Sequence, residues 1–177
     1  LEIKPDCRGL GYGRVLAQFM LDLAFDQGLS VVEIEIVPSS AKPFWSSMEF
    51  TPVSGRQGIG GGLCAYRVLS RTYSLGDGAR VDYSVSFFTH NERFEDDPTP
   101  FRQFSGLGER LPNGVVQLPE RAFCHRPEDA QHVEYFLKVE LGGREIYFDK
   151  VRHARNEALG VEYGDDDGIY FLDQIKA

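Results

Sequence analysis

The chain opens Leu1-Glu2-Ile3-Lys4-Pro5-Asp6-Cys7-Arg8-Gly9-Leu10-Gly11-Tyr12-Gly13 and continues into a long amphipathic run that closes at Gly28. The first residues read as a short extended segment stopped by Pro5, and Arg8 to Gly13 as a glycine-rich turn. Beyond it, Val15, Leu16, Phe19, Met20, Leu23 and Ala24 recur at helical spacing, and Gly28 supplies a C-terminal stop. The order is strand, glycine loop, helix. A first helical turn carries N–H groups without partners, at the positive end of the helix dipole. Glycines beside it let a ligand approach the backbone, which suits a pyrophosphate.

The spacing narrows the choice of ligand. Gly9-Leu10-Gly11-Tyr12-Gly13 is G-x-G-x-G, not the G-x-G-x-x-G of a dinucleotide fold, and no Gly-Lys-Ser/Thr closes a P-loop. What the residues spell is Arg-x-x-Gly-x-Gly, at Arg8, Gly11 and Gly13. In this the chain resembles the GNAT superfamily of N-acetyltransferases, whose acetyl-CoA loop reads Gln/Arg-x-x-Gly-x-Gly/Ala between its fourth strand and the next helix. Pro5-Asp6, Arg8-Gly9 and Val15-Leu16 are typical flanks of that loop.

Downstream, Val31 to Val37 is β-branched and bounded by Ser30 and Pro38, so it reads as a strand. Strand, helix, strand predicts a right-handed crossover with parallel strands. Glu33 and Glu35 share one face of it, expected to be partly wet. Ala41, Phe44, Trp45 and Phe50 then match the family's Ala-x-x-Phe-Tyr-x-x-x-Gly-Phe, with Trp45 for Tyr and Glu49 for Gly. In many members that Tyr protonates the departing CoA thiolate. An indole N–H donates a hydrogen bond but does not titrate usefully, so Trp45 is expected to be a buried core aromatic. Thr51-Pro52-Val53 leaves the short helix, Gly55 to Gly62 reads as a mobile glycine-rich segment, and Cys64 to Leu69 as the last strand of the fold. The resemblance covers about residues 1–70, the C-terminal half of that fold.

The resemblance implies an N-acetyltransferase that moves an acetyl group from the cosubstrate acetyl-CoA to a primary amine of a small molecule or protein. Main-chain N–H groups from Arg8, Gly9, Leu10, Gly11, Tyr12, Gly13 and Arg14 would hold the pyrophosphate. Leu1 and Ile3 would offer backbone groups to the pantetheine arm. An amine must lose a proton, so a carboxylate acting directly or through water is the expected base. Glu2, Glu33 and Glu35 are the candidates. Trp45 and the absent first half of the fold favour a second reading, a catalytically degenerate CoA-binding or regulatory module; the intact loop opposes it.

With 177 residues the chain would hold one large or two small domains. The net charge of −8 argues against a nucleic-acid surface. Residues 1–71 hold seven of the nineteen Lys/Arg and seven of the twenty-seven Asp/Glu, so residues 72–177 carry the whole acidic excess. That asymmetry supports two units, a GNAT-like half-domain over 1–71 and a β-rich domain over 72–177. No apolar run reaches membrane-spanning length and no secretory signal opens the chain. Cys7, Cys64 and Cys124 are odd in number and widely spaced, which suggests no disulfide framework and fits a reducing cytoplasm. The chain starts inside a predicted strand without Met. Upstream residues or a second chain are therefore expected to complete the sheet, with strands of the β-rich part as a further option.

From Thr72 the periodicity changes. Val81, Tyr83, Val85 and Phe87 alternate with Asp82, Ser84 and Ser86, which reads as a strand. His90 to Gly108 reads as a long polar loop and Gly114 to Leu118 as a short strand. Val133–Leu141 and Arg144–Val151 form a hairpin around Gly142-Gly143, and Gly160–Tyr163 with Ile169–Leu172 form another around Gly164-Asp165-Asp166-Asp167-Gly168. Cys124, His125, Asp129 and His132 cluster without the paired spacing of a zinc site, so no metal is expected. The aspartate run lacks the alternation and distal Glu of a calcium loop, and no G-x-S-x-G or H-E-x-x-H supports a hydrolase. The fold class is α+β: a partial GNAT acyl-CoA N-acyltransferase fold (strand-loop-helix-strand-helix-strand) followed by a small antiparallel β-rich domain.

Overall fold

The computed structural model describes residues 2–89, 98–128, 133–151, 156–163 and 169–176. It is a mixed α+β chain with few helices and one large antiparallel sheet. Two compact units, Leu1–Leu69 and Ser70–Ala177, each carry an apolar cluster of their own.

The first unit holds helix α1 (Tyr12–Asp26), strand β1 (Val31–Ile36), helix α2 (Lys42–Ser47) and strands β2 (Thr51–Gln57) and β3 (Leu63–Val68). Its sheet has the order β1-β3-β2, with both pairs antiparallel. The predicted opening strand and parallel crossover are therefore corrected: Glu2–Lys4 form no strand, and β1 pairs with β3 alone among the described residues. The reason lies in the backbone acceptors. The Lys4 carbonyl accepts the Cys7 N–H of a 3-10 turn at Pro5–Cys7, and the Ile3 carbonyl accepts Arg8 Nε at 3.1 Å. Both oxygens are engaged locally instead of in a ladder.

Helix α1 packs through Ala17, Leu21 and Ala24 against Ile36, Met48, Phe50, Ala65 and Leu69. Small residues at two of those three positions let the helix come close to the sheet. Of the residues whose spacing predicted the helix, only Ala24 is buried; Val15, Leu16, Phe19, Met20 and Leu23 form an exposed apolar stripe.

Both helices of this unit end in the same motif. At the end of α1, Gly28 N–H bonds to the Phe25 carbonyl and Leu29 N–H to the Ala24 carbonyl, with Gly28 at φ 85°. This six-to-one and five-to-two pattern uses carbonyls that the helix leaves open. At the end of α2, Glu49 N–H bonds to the Ser46 carbonyl and Phe50 N–H to the Trp45 carbonyl, with the rings of Trp45 and Phe50 edge-on at 5.1 Å. Here the left-handed position is filled by Glu49 at φ 64°, where the resembled family has glycine. Arg67 on β3 partly compensates, donating to the Met48 carbonyl at 2.9 Å and pairing with Glu49 at 2.8 Å.

Strand β2 takes up Thr51-Pro52-Val53 and corrects the start of the glycine-rich segment expected over Gly55 to Gly62. Pro52 and Gly55 concealed it. Pro52 is tolerated because β2 is an edge strand, and Gly55 sits in a register shift between Pro52 and Gln57. The remaining glycines, Gly58 to Gly62, make the connection to β3.

The second unit is a seven-stranded antiparallel sheet: β4 (Ala79–Thr89), β5 (Arg102–Arg110), β6 (Val116–Phe123), β7 (Tyr135–Leu141), β8 (Arg144–Lys150), β9 (Val161–Tyr163) and β10 (Tyr170–Ile175), in the order β8-β7-β4-β5-β6-β10-β9. The β7–β8 turn has Gly142 and Gly143 at positive φ, as a two-residue hairpin requires. Strand β5 overturns the loop reading over residues 102–108. Its glycines are there for space: the Tyr83 ring lies over Gly106, and a Cβ on Gly108 would come within 2.5 Å of Val116. Strand β6 runs past Pro119, whose carbonyl accepts Tyr73 N–H at 2.8 Å. Residues 90–97, and with them the first part of the predicted loop, lie outside the described residues, as do Gly164 to Gly168 and their turn.

Two ionic contacts fasten the start of this unit. Arg121 makes a two-pronged pair with Asp173, at 2.8 and 2.6 Å, and its guanidinium lies 3.6 Å over Phe171. Burial, then the hydrogen bond and negative charge of Asp173, push the Tyr73 hydroxyl up to about 12. Glu109 accepts the N–H groups of Gly78, at 2.9 Å, and Gly76. These bonds hold its carboxyl below the usual range, with Arg80 adding to the effect.

Two outcomes are expected. Glu49→Gly removes a left-handed L-residue, worth about 1–2 kcal/mol, and an exposed ion pair worth about 0–1 kcal/mol. The variant should melt at the same or a higher temperature; a clear drop in Tm contradicts the strain argument. A carboxyl with a lowered folded-state pKa contributes stability above its unfolded value, about 4.3, and loses that contribution as pH falls through the folded value. Glu109→Gln should therefore be less stable than wild type in urea melts at pH 7. The difference should shrink as pH falls below about 4; a pH-independent difference contradicts it.

Candidate functional site

Gly11 caps α1 in a left-handed conformation, at φ 83°, and turns the chain so that the helix starts at Tyr12. The N–H groups of Arg14 and Val15 both donate to the Gly11 carbonyl, at 3.0 and 3.3 Å. Those of Tyr12 and Gly13 have no backbone acceptor among the described residues. No side chain caps the helix and no acidic residue stands in its first turn, so the positive end of the dipole is not offset there.

This helix start opens on a cleft of about 910 Å³. It is lined by Glu2, Ile3, Cys7, Arg8, Gly9, Gly11, Tyr12, Gly13 and Arg14 from the start of the chain and by Val37, Pro38, Ala41, Phe44 and Trp45 from the segment around α2. Two side chains fix the walls. Arg8 turns back to the Ile3 carbonyl, using one of its five N–H donors and shaping the turn. Arg14 donates to Ser47 Oγ at 2.8 Å, and that hydroxyl donates to the Phe44 carbonyl at 2.7 Å. The first turn of α1 is thereby tied to α2. A Cβ on Gly13 would stand 3.7 Å from Ile3 and from the Phe44 ring, an ordinary contact distance.

Of the loop residues proposed to hold a pyrophosphate, Arg8, Gly9, Gly11, Tyr12, Gly13 and Arg14 line this cleft, as does Ile3. Leu10 is exposed and is not among the lining residues. Leu1 lies outside the described residues. The three candidate bases are dispersed. Glu2 lines the cleft. Glu33 pairs with Arg56 at 2.9 Å. Glu35 accepts the N–H groups of Gly60 and Gly62, at 3.1 and 2.6 Å.

Trp45 meets expectation in part, packing against the apolar cluster of the first unit without being fully buried. It is half-buried, with Phe44 edge-on at 5.0 Å and Phe50 at 5.1 Å, and it contributes to the cleft wall. Cys7, Val37 and Pro38 also line the cleft, which nothing in the residue pattern signals, because none belongs to the glycine pattern. His125 and Cys124 are buried, while Asp129 and His132 lie outside the described residues, as do His90 and His153. Among the described residues no group of three His, Cys, Asp or Glu could hold a metal ion, and no helix is long and apolar enough to cross a membrane.

Residues 1–50 match the family model of the acetyltransferase (GNAT) family. No curated protein and no solved structure matches the chain. The matched segment contains the glycine loop, α1 and α2, which are the elements that build the cleft.

Since the Gly13 Cβ position is open, Gly13→Ala should gain about 0.5–1 kcal/mol from helix propensity. Urea melts read this directly, and destabilisation by that variant contradicts the described contacts around Gly13.

Proposed function

We propose that the chain is an acetyl-CoA-dependent N-acetyltransferase acting on a primary amine. The observation that carries this is the pair of N–H groups at Tyr12 and Gly13 that have no backbone acceptor among the described residues, opening on a large cleft within the segment that matches the GNAT family. On this reading they receive the CoA pyrophosphate, with Arg8 and Arg14 adding positive charge at the mouth. The aromatic wall of Phe44 and Trp45 takes apolar parts of the cosubstrate.

In the transfer itself the amine nitrogen attacks the thioester carbon and the carbon–sulfur bond breaks. The amine proton passes to Glu2 or through water, since Glu33 and Glu35 are engaged elsewhere. The leaving thiol resembles a cysteine thiol, with a pKa of about 8.5, so it can depart as thiolate and collect a proton from water. Trp45 in place of Tyr therefore does not forbid the reaction.

The engagement of Glu33 and Glu35, together with Trp45, favours a second reading, a CoA-binding module without turnover. Among the described residues β1 stands at the edge of its sheet, and α1 of the same unit leaves an apolar stripe exposed. On either reading a further strand, from upstream residues or a second chain, would complete the sheet there.

Calorimetry with CoA tests the binding, and release of free thiol from acetyl-CoA in the presence of amines tests the turnover. Wild type should bind, and Gly11→Val, which forces a β-branched residue to positive φ, should bind at least roughly tenfold more weakly, about 1.4 kcal/mol. Equal affinity in a folded variant overturns the site. Binding without thiol release selects the second reading.

A further inference from the structure

The second cleft of the first unit, about 420 Å³, is lined by Ile36, Val37, Ser39, Gln57, Leu63 and the loop Gly60–Gly62. Val37 belongs to its lining and to that of the larger cleft, so the two are neighbours. The loop that forms its wall is built around one carboxylate. Glu35 accepts N–H from Gly60 at 3.1 Å and from Gly62 at 2.6 Å. The loop closes on itself through Gly58 N–H to the Gly62 carbonyl at 2.9 Å and Gly61 N–H to the Gly58 carbonyl at 3.0 Å. A Cβ on Gly58 would stand 2.2 Å from Glu35 Cδ, and one on Gly60 would stand 2.9 Å from Glu35 Oε1. A side chain at Gly58 or Gly60 would therefore displace the Glu35 side chain from the place where it holds the loop.

We propose that Glu35 is a positioning residue that holds this loop as the wall of an acceptor subsite, and that the subsite takes a monoamine with a compact apolar body. The inference rests on the acyl-transfer reading. Ile36, Val37 and Leu63 supply apolar surface, Ser39 and Gln57 are the polar side chains, and no charged side chain is in the lining. The carboxylates of β1 are not on offer: Glu33 holds Arg56, and both Glu35 oxygens hold the loop. A polyamine carries charge along its whole length and could enter only by leaving unpaired charge against apolar walls. A monoamine can lay its body in the cleft and keep its one polar end toward the larger cleft, where the thioester would lie.

The test is amide-resolved NMR on the full chain, titrated separately with phenethylamine, spermidine and CoA. Phenethylamine should shift Val37 and Gly60–Gly62 saturably, and spermidine should bind there at least tenfold more weakly. Glu35→Gln keeps one carbonyl acceptor but turns an NH2 group toward the other N–H, and Gly60→Ala pushes the loop off the carboxylate. Both should weaken phenethylamine about tenfold while the CoA shifts at Tyr12–Arg14 and the CoA affinity stay as in wild type, which also reports that each variant is folded. Spermidine binding as tightly as phenethylamine, no amine shift at Gly60–Gly62, or full amine affinity in both variants overturns the proposal. Absence of CoA shifts at Tyr12–Arg14 is a separate result, which overturns the acyl-transfer reading and leaves the amine titrations readable.

Discussion

Two backbone N–H groups, those of Tyr12 and Gly13, have no backbone acceptor among the described residues, and much of the first unit follows from how they are presented. Unmet donors are costly when buried, so such groups belong in a cleft open to water or to a ligand. Gly11 makes the turn that starts the helix there. Ala17, Leu21 and Ala24 set the helix close on the sheet, and the Gly28 motif ends it cleanly. Arg14, through Ser47, ties its first turn to α2, whose Phe44 and Trp45 line the same cleft. On the proposed reading, a helix start that accepts an anion beside the Phe44 and Trp45 rings suits a long cosubstrate with a charged end and an apolar arm.

The helix and its glycine turn were legible in the sequence because both are local. Spacing of apolar residues fixes a helix, and glycine spacing fixes where a backbone can turn back. Strand β2 was not legible, because Pro52 and Gly55 read as breakers until the strand's edge position and bulge are known, and those are tertiary facts. Strand β5 was hidden for a related reason: Gly106 and Gly108 look like loop residues, yet they make room for Tyr83 and Val116. The opening strand was over-read, since nothing local in Glu2–Lys4 announces that Arg8 and Cys7 will take the Ile3 and Lys4 carbonyls. Among the candidate bases, residue type alone made Glu2, Glu33 and Glu35 equivalent. Arg56, 23 residues from Glu33, and the glycines 25 and 27 residues from Glu35 separate them.

The two departures from the family pattern have different physical standing. Glu49 takes a left-handed position at which glycine costs nothing, and Arg67 answers it with a bond to the helix-ending carbonyl and an ion pair. That is a local strain with a local remedy. Trp45 changes the chemistry at the cleft wall, replacing a group that could give up a proton with one that only donates a hydrogen bond. On the proposed reading the leaving group is a thiol, which needs little help of that kind, so a change of rate is a smaller consequence than a change of binding surface.

The central claim is that the start of α1 receives an anion through its backbone. Amide proton shifts of Tyr12 and Gly13 during a CoA titration test it most directly. Both should move downfield together and saturate with the calorimetric affinity, as N–H groups do on gaining a charged acceptor. CoA binding that leaves those two amides unmoved would contradict it.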